Sequence, residues 1–333
     1  MQLNTLERQF INTCQGNFPL IKNPFRQLAK QLGCDQDELI ETVNKLKIRR
    51  YLTRFGPLYN ADHLGGNLTL AAISVPSDRY TMVTELVNAY PQVAHNYRRE
   101  HTLNMWFVLA TQTAVEITTI LTEIEQKTGL KVYNFPKQHE FYIGLWLHLS
   151  SSGCASTIKI DSKPVTNDSP PPSVYRINEI DKKLIRATQT GLPIEPTPYC
   201  RIAENIGLTE TMVIQRLKQM LSCGIIRRIG AVPNHYKLGL SANGMTVWNV
   251  NDDKLMEMGK ITGKLTFVSH CYQRPKHLPM WPYNLFAMVH GHNKDEVMAK
   301  TQQIKTLLGS HCQSSDILFS SAILKKTGMR LAA

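Results

Sequence analysis

The chain has 333 residues, a formal net charge of +12 and seven cysteines scattered without a Cys-x-x-Cys pair. That length holds about two to four compact units; no apolar run reaches the roughly 18 residues of a membrane span, and the N-terminus lacks the order of a signal peptide. Lone cysteines exclude a disulfide framework and point to the cytoplasm, while the charge points to an anionic partner: nucleic acid, a polycarboxylate or phosphate ligand, or an acidic membrane surface.

In chain order, the periodicity predicts helices over 24–32 and from Asp35 to about residue 47, split by Gly33. Two helices joined by a short glycine turn, then the basic stretch Arg49-Arg50-Tyr51-Leu52-Thr53-Arg54-Phe55-Gly56, read as a winged helix-turn-helix with a hairpin-like wing. Next come a strand at 68–75, a helix at 78–90, strands at 92–101 and 103–111, a helix at 115–127 and a strand at 130–135. This β-α-β-β-α-β order predicts a ferredoxin-like sheet with both helices on one face. The apolar stretch 141–149 is too short to cross a bilayer. Residues 150–174, rich in serine and proline, read as a linker.

The second half repeats the plan. Helices are predicted at 177–190, 199–206 and 209–222, then the basic Ile226-Arg227-Arg228-Ile229-Gly230. Strand and helix then alternate over 244–250, 252–262, 265–274, 283–290, 295–308 and 314–320. Pro19, Pro24, Ala29, Gly33, Gly56 and Asn60 recur at one constant spacing as Pro193, Pro198, Ala203, Gly207, Gly230 and Asn234, which marks an internal duplication. The expected fold is α+β, a tandem duplication: winged helix-turn-helix domains at 1–65 and 175–240, ferredoxin-like domains at 66–149 and 241–333. The halves are expected to pack sheet against sheet.

One strand signature occurs in both halves: Val93-Ala94-His95-Asn96-Tyr97-Arg98-Arg99 and Val268-Ser269-His270-Cys271-Tyr272-Gln273-Arg274. Strict alternation puts His, Tyr and Arg on one face, leaving Ala94, Asn96, Ser269 and Cys271 on the other. A proton donor beside an anion clamp points to chemistry on an acidic ligand. Arg98 has Gln273 as its counterpart, so the two pockets differ. The second half adds the loop Pro275-Lys276-His277-Leu278-Pro279-Met280-Trp281-Pro282, whose prolines stiffen it and whose Trp281 suits a planar ligand. Neither His270-Cys271 nor His311-Cys312 has the spacing of a zinc site, so no protein-bound metal is expected.

The layout of each half resembles the Lrp/AsnC family of transcription regulators. DNA binding is nevertheless disfavoured, because the first recognition helix opens Asp35-Gln36-Asp37-Glu38 and phosphates repel carboxylates there. The segments His270-Cys271-Tyr272-Gln273-Arg274-Pro275 and Trp281-Pro282-Tyr283-Asn284-Leu285-Phe286 resemble one subunit type of the siroheme decarboxylases. His95-Asn96-Tyr97-Arg98-Arg99-Glu100-His101 with Leu103-Asn104-Met105-Trp106-Phe107-Val108 resembles the other. Arg54-Phe55-Gly56-Pro57 and Arg227-Arg228-Ile229-Gly230-Ala231-Val232 resemble that family's wing segments.

The resemblance implies decarboxylation of siroheme to didecarboxysiroheme, on routes to haem d1 or haem, in a fused form that leaves room for related decarboxylase subunits. Its substrate is itself an iron tetrapyrrole, so no separate cofactor is expected. The candidate catalytic residues are His270, Tyr272 and His95, with histidine as proton donor near neutral pH. Candidate substrate contacts are Arg274, Arg99, Arg98, Lys276, His277, Trp281, Tyr97, Arg227 and Arg228, since arginine grips a carboxylate with two parallel bonds. The second half is the better candidate for the productive pocket. Rival readings are a DNA-binding regulator responding to a small anionic ligand, and a scaffold half of a larger decarboxylase. Homo-oligomerisation stays open, because the fused halves already supply a pseudo-dimer.

Overall fold

The computed structural model describes residues 3–60, 63–64, 66–160 and 175–326. Helix α1 (Thr5–Cys14) starts at a reciprocal cap: the Asn4 side chain accepts from the Glu7 amide and the Glu7 carboxylate accepts from Asn4. Helix α2 (Pro24–Leu32) opens on proline and stops at Gly33, whose φ of 70° is left-handed. Helix α3 (Gln36–Ile48) is capped by Asp35. Strand β1 (Leu52–Tyr59) follows.

The first ferredoxin-like unit then runs through β2 (Asn67–Ile73), α4 (Tyr80–Ala89), β3 (Val93–Arg99), β4 (Met105–Thr111), α5 (Ala114–Thr128) and β5 (Val132–Pro136). Three short strands come next: β6 (His139–Ile143), β7 (Trp146–Leu149) and β8 (Ala155–Ile158). The second half contains α6 (Glu179–Thr188), α7 (Pro198–Ile206), α8 (Glu210–Ser222), β9 (Ile226–Pro233), β10 (Ala242–Val250), α9 (Leu255–Lys264), β11 (Val268–Gln273), β12 (Leu285–Gly291), α10 (Lys294–Leu308) and β13 (Cys312–Lys326).

The six N-terminal helices of the two halves bury their apolar stripes in one shared core, which joins Phe10, Phe25 and Leu46 to Tyr199, Leu217 and Met220. The wings depart from expectation. Each is one strand rather than a hairpin, and β1 pairs antiparallel with β9 across the halves. Gly56 and Gly230 face each other at the crossing, with φ of +145° and +159°. A Cβ on Gly230 would land on the Cys14 carbonyl oxygen, and one on Gly56 would lie 2.8 Å from the Leu192 nitrogen. Gly230→Ala is therefore expected to cost about 3 kcal/mol or more, combining backbone strain with overpacking. A melting curve checks this, and an unchanged Tm would contradict it.

Both ferredoxin-like units form as predicted, with strand orders β5-β2-β4-β3 and β13-β10-β12-β11. The two sheets do more than pack face to face. The tail of β13 pairs with β3 of the first half, and β6 pairs with β11 of the second, giving one nine-stranded order that ends on β6. Neither His-Tyr-Arg strand is left with an open edge on that side, which removes an aggregation hazard. Strand β13 is consequently much longer than its predicted 314–320. Between the sheets lies a core of Trp106, Phe135, Val247, Trp281, Phe286 and Leu318.

The stretch predicted as a linker begins later than expected. Strand β8, inside 150–174, pairs with β7 in a hairpin held against α1, where the Asn12 and Gln15 side chains bond Leu149 and Leu147. The remainder of that expected linker, 161–174, lies outside the described residues. Among the described residues, no helix is long and apolar enough to cross a membrane.

Candidate active site

A β-bulge sets the geometry of both signature strands. The register slips between Val93 and His95 against β4, and between Val268 and His270 against β12. The two valines therefore turn into the helix-side cores, contrary to the single face that strict alternation predicted. The bulged residues are Ala94 and Ser269. Ser269 stands on the same side as His270 and bonds its Nδ1 at 2.8 Å. His95 and Tyr97 have ring centroids 6.2 Å apart, and His270 and Tyr272 6.0 Å. Arg99 lies over Tyr97 at 5.7 Å and Arg274 over Tyr272 at 5.2 Å. The His-Tyr-Arg triplets thus form as the sequence indicates.

Each triplet arginine crosses into the other half. Arg99 donates to the Leu318 carbonyl at 2.7 Å, and Arg274 donates to the Phe135 carbonyl. Arg228 donates to the Leu145 carbonyl at 3.1 Å and stacks over Trp146 at 4.1 Å. All three are buried, and each keeps one guanidinium nitrogen unsatisfied among the described residues. Among the described residues none of the three has a carboxylate partner. Burial pushes each down to about 10, so they remain cations at neutral pH. An isolated buried charge is costly, so each of these guanidiniums would be stabilised by an anionic partner.

The other expected contacts are placed differently. Arg98 points to the helix side and stacks over Tyr80 at 4.5 Å. It also lines a cavity of about 470 Å³ together with Arg99, Glu100, His101, Asn104, Ser321 and Ala322. Arg227 is held by Glu140 at 2.8 and 3.1 Å and by Asn60. Lys276 pairs with Asp252 at 3.1 Å, and His277 Nε2 bonds the Asn134 carbonyl oxygen at 2.7 Å. Trp281, expected to present a flat surface, is instead fully buried against Trp106, Phe135 and Phe286. Its loop closes as a tight turn, with reciprocal backbone bonds between His277 and Trp281, and that turn drives the indole inward.

Sequence reasoning missed several groups. Lys159, just after β8, donates to the Val268 carbonyl at 2.6 Å, and its Nζ lies 2.9 Å from the centre of the Tyr142 ring. Burial pulls its ammonium down to about 7. His235 packs against His290, ring centroids 5.1 Å apart. Neither was marked by any local motif, because each reaches the site from an element distant in sequence.

Four histidines, His290 buried and the other three half-buried, are held neutral. Burial above all pushes His95, His235 and His270 down to about 4, and His290 well below its ordinary value. Lys326 adds to the effect at His95, while at His270 Glu140 opposes it and Arg227, Lys159 and Arg228 reinforce it. The unfolded chain protonates such side chains below about pH 6.5. It therefore binds more protons than the folded one as pH falls from about 6.5 toward about 4, and stability declines across that window. Melting curves at about pH 7 and about pH 5 should show a lower Tm in acid; equal values would contradict the burial of neutral imidazoles.

Element order and sheet topology together define a duplicated protein, each half a helix-turn-helix unit followed by a ferredoxin-like unit of the AsnC type. A family profile for the AsnC-like ligand binding domain matches residues 63–142 and 237–325. A second, for the siroheme decarboxylase NirDL-like HTH domain, matches 7–52 and 181–227. The siroheme decarboxylase of Hydrogenobacter thermophilus is 30% identical over 97% of this chain and 93% of its own. The siroheme decarboxylase NirH subunit of Paracoccus pantotrophus is 53% identical over 46% of this chain and 96% of its own. The crystal structure of the siroheme decarboxylase NirDL in co-complex with an iron-uroporphyrin III analogue superposes with a TM-score of 0.69. It is 26% identical and covers 97% of this chain and 92% of that chain. The chain belongs to the siroheme decarboxylase family.

Proposed function

We infer that this chain removes carbon dioxide from the acetate side chains of siroheme, giving didecarboxysiroheme. The observation that carries the reading is the set of buried guanidiniums of Arg99, Arg228 and Arg274, each without a carboxylate among the described residues. The substrate's carboxylates supply the missing counter-charges, and bidentate pairing fixes their orientation. Loss of carbon dioxide from a pyrrole acetate leaves an electron pair on the methylene carbon, which the conjugated ring delocalises. His270 Nε2–H then gives a proton to that carbon, completing a methyl group. Each carbon dioxide lost consumes one proton from solvent. The macrocycle is its own electron sink, so no further cofactor enters this reading.

The imidazole is neutral before substrate arrives, because burial and the cations around it disfavour a further positive charge. A bound polycarboxylate reverses that field and restores the imidazolium. Arg227, gripped by Glu140, acts as a brace beside the pocket; Tyr272 and Tyr97 carry the arginine planes over their rings. The seven cysteines are all unpaired, which supports a reducing, cytoplasmic setting. The half-length NirH relative supports reading this chain as a fusion of two subunit types.

The test is carbon dioxide evolution when the purified chain meets siroheme without oxygen. Release of carbon dioxide supports the reading. A shifted siroheme spectrum without release would leave binding only and move the search to missing subunits.

A further inference from the structure

The two signature strands are related by register, so their surroundings can be compared residue by residue. Val93 pairs with Leu109 and Val268 with Val289, which makes Ala110 the counterpart of His290. Leu68 pairs with Ala110 and Asn243 with His290, which makes Leu68 the counterpart of Asn243. The bulged Ala94 corresponds to Ser269. The second half thus holds Ser269, His290 and Asn243 where the first holds Ala94, Ala110 and Leu68.

The three polar residues form one chain. His290 Nδ1 bonds Asn243 Oδ1, His290 Nε2 bonds Ser269 Oγ at 2.6 Å, and Ser269 Oγ bonds His270 Nδ1 at 2.8 Å. An amide oxygen can only accept, so His290 carries its proton on Nδ1 and its Nε2 accepts from the serine hydroxyl. The serine oxygen is then left to accept from His270 Nδ1–H. In the first half, His95 Nδ1 is buried and has no partner among the described residues.

We propose that Ser269, His290 and Asn243 are positioning residues that hold His270 with its proton on Nδ1 and Nε2 open toward substrate, and that the first half, lacking them, does not present His95 in this way. This deepens the decarboxylase reading and rests on it for its catalytic consequence. Nε2 of His270 has no partner among the described residues, so the tautomer leaves that nitrogen free to receive a solvent proton and pass it to carbon. After transfer, His270 returns to the Nδ1–H form without any rearrangement of the chain. The charged and titratable groups around it are Lys159, Arg227, Arg228 and Glu140 beside His270, and His235 and Lys300 beside His290.

Nitrogen-15 long-range correlation spectra of the substrate-free full chain test the tautomer directly, with the His270 signal assigned from His270→Gln. Wild type is expected to show His270 as Nδ1–H, and Ser269→Ala to shift it toward Nε2–H. An Nε2–H tautomer in wild type, or no change in the variant, would overturn the proposal whether or not the protein turns siroheme over. Ser269→Ala copies what the first half already carries in its own bulge, so it is expected to fold with an ordinary melting curve.

In anaerobic turnover, Ser269→Ala should lower kcat by about 10- to 100-fold with siroheme affinity within about twofold. Because the cationic form loses an acceptor, the alkaline limb of the pH profile should move to lower pH. His290→Gln keeps an acceptor for the serine and should recover most of the rate, whereas His290→Leu should not. Equal losses in both His290 variants, or a loss of affinity matching the loss of rate, would mark the chain as structural only.

Discussion

Replacing Arg274 with methionine is expected to weaken siroheme binding by roughly 30- to 1000-fold, the range for removing one charged partner from a buried ionic contact. The same change should raise the Tm of the substrate-free protein by about 2–5 °C. The two effects run in opposite directions because the guanidinium is buried, lies 5.2 Å over Tyr272 and 5.8 Å over Phe286, and has no carboxylate among the described residues to offset its desolvation. Methionine packs against the same rings without carrying a charge into the interior. Stability is sacrificed here for function, and removing the function should recover it. Siroheme titration followed by absorbance, alongside a melting curve, checks both halves of the statement. A variant that is less stable and binds normally would make Arg274 a structural residue, and the anion-site argument would lose one of its three supports.

His270→Ala is expected to lower kcat by about 10² to 10⁴, the contribution of a positioned general acid, with siroheme still bound. His95→Ala should lower it by less than about tenfold. The asymmetry follows from the surroundings: His270 Nδ1 is hydrogen-bonded to Ser269, and His95 Nδ1 is buried without a partner among the described residues. The pair of variants, assayed under single-turnover conditions, separates the two pockets. Equal and large losses would mean that each half handles one acetate, and a larger loss from His95→Ala would reverse the assignment of the productive pocket.

The duplication and the β-α-β-β-α-β order were legible because both are carried by local periodicity and a constant spacing. Pairings between the halves were not. Strand β6 runs into an apolar stretch that looked merely too short for a membrane, and its partner β11 is more than a hundred residues away. The tail of β13 and the joined wings are long-range pairings of the same kind. No window of sequence contains both strands of such a pair.

The site was legible in its signature and illegible in its depth. His95, Tyr97, Arg99, His270, Tyr272 and Arg274 could be grouped by alternation alone. One bulge was enough to mislead that reasoning: Ser269, assigned to the far face, stands beside His270 instead. Trp281 looked like ligand surface because its indole is flat and polarisable, yet a tight turn drives it into the inter-sheet core. His290 and Asn243 gave no sign in isolation, since their meaning arises only when register places each in contact with the next.

The most direct measurement is the mass of the tetrapyrrole recovered after anaerobic incubation with the purified full chain. The account predicts a product lighter than siroheme by two carbon dioxide molecules, formed far more slowly when His270→Ala replaces wild type. Siroheme recovered unchanged from wild type, with no shift in its absorption on mixing, would contradict it.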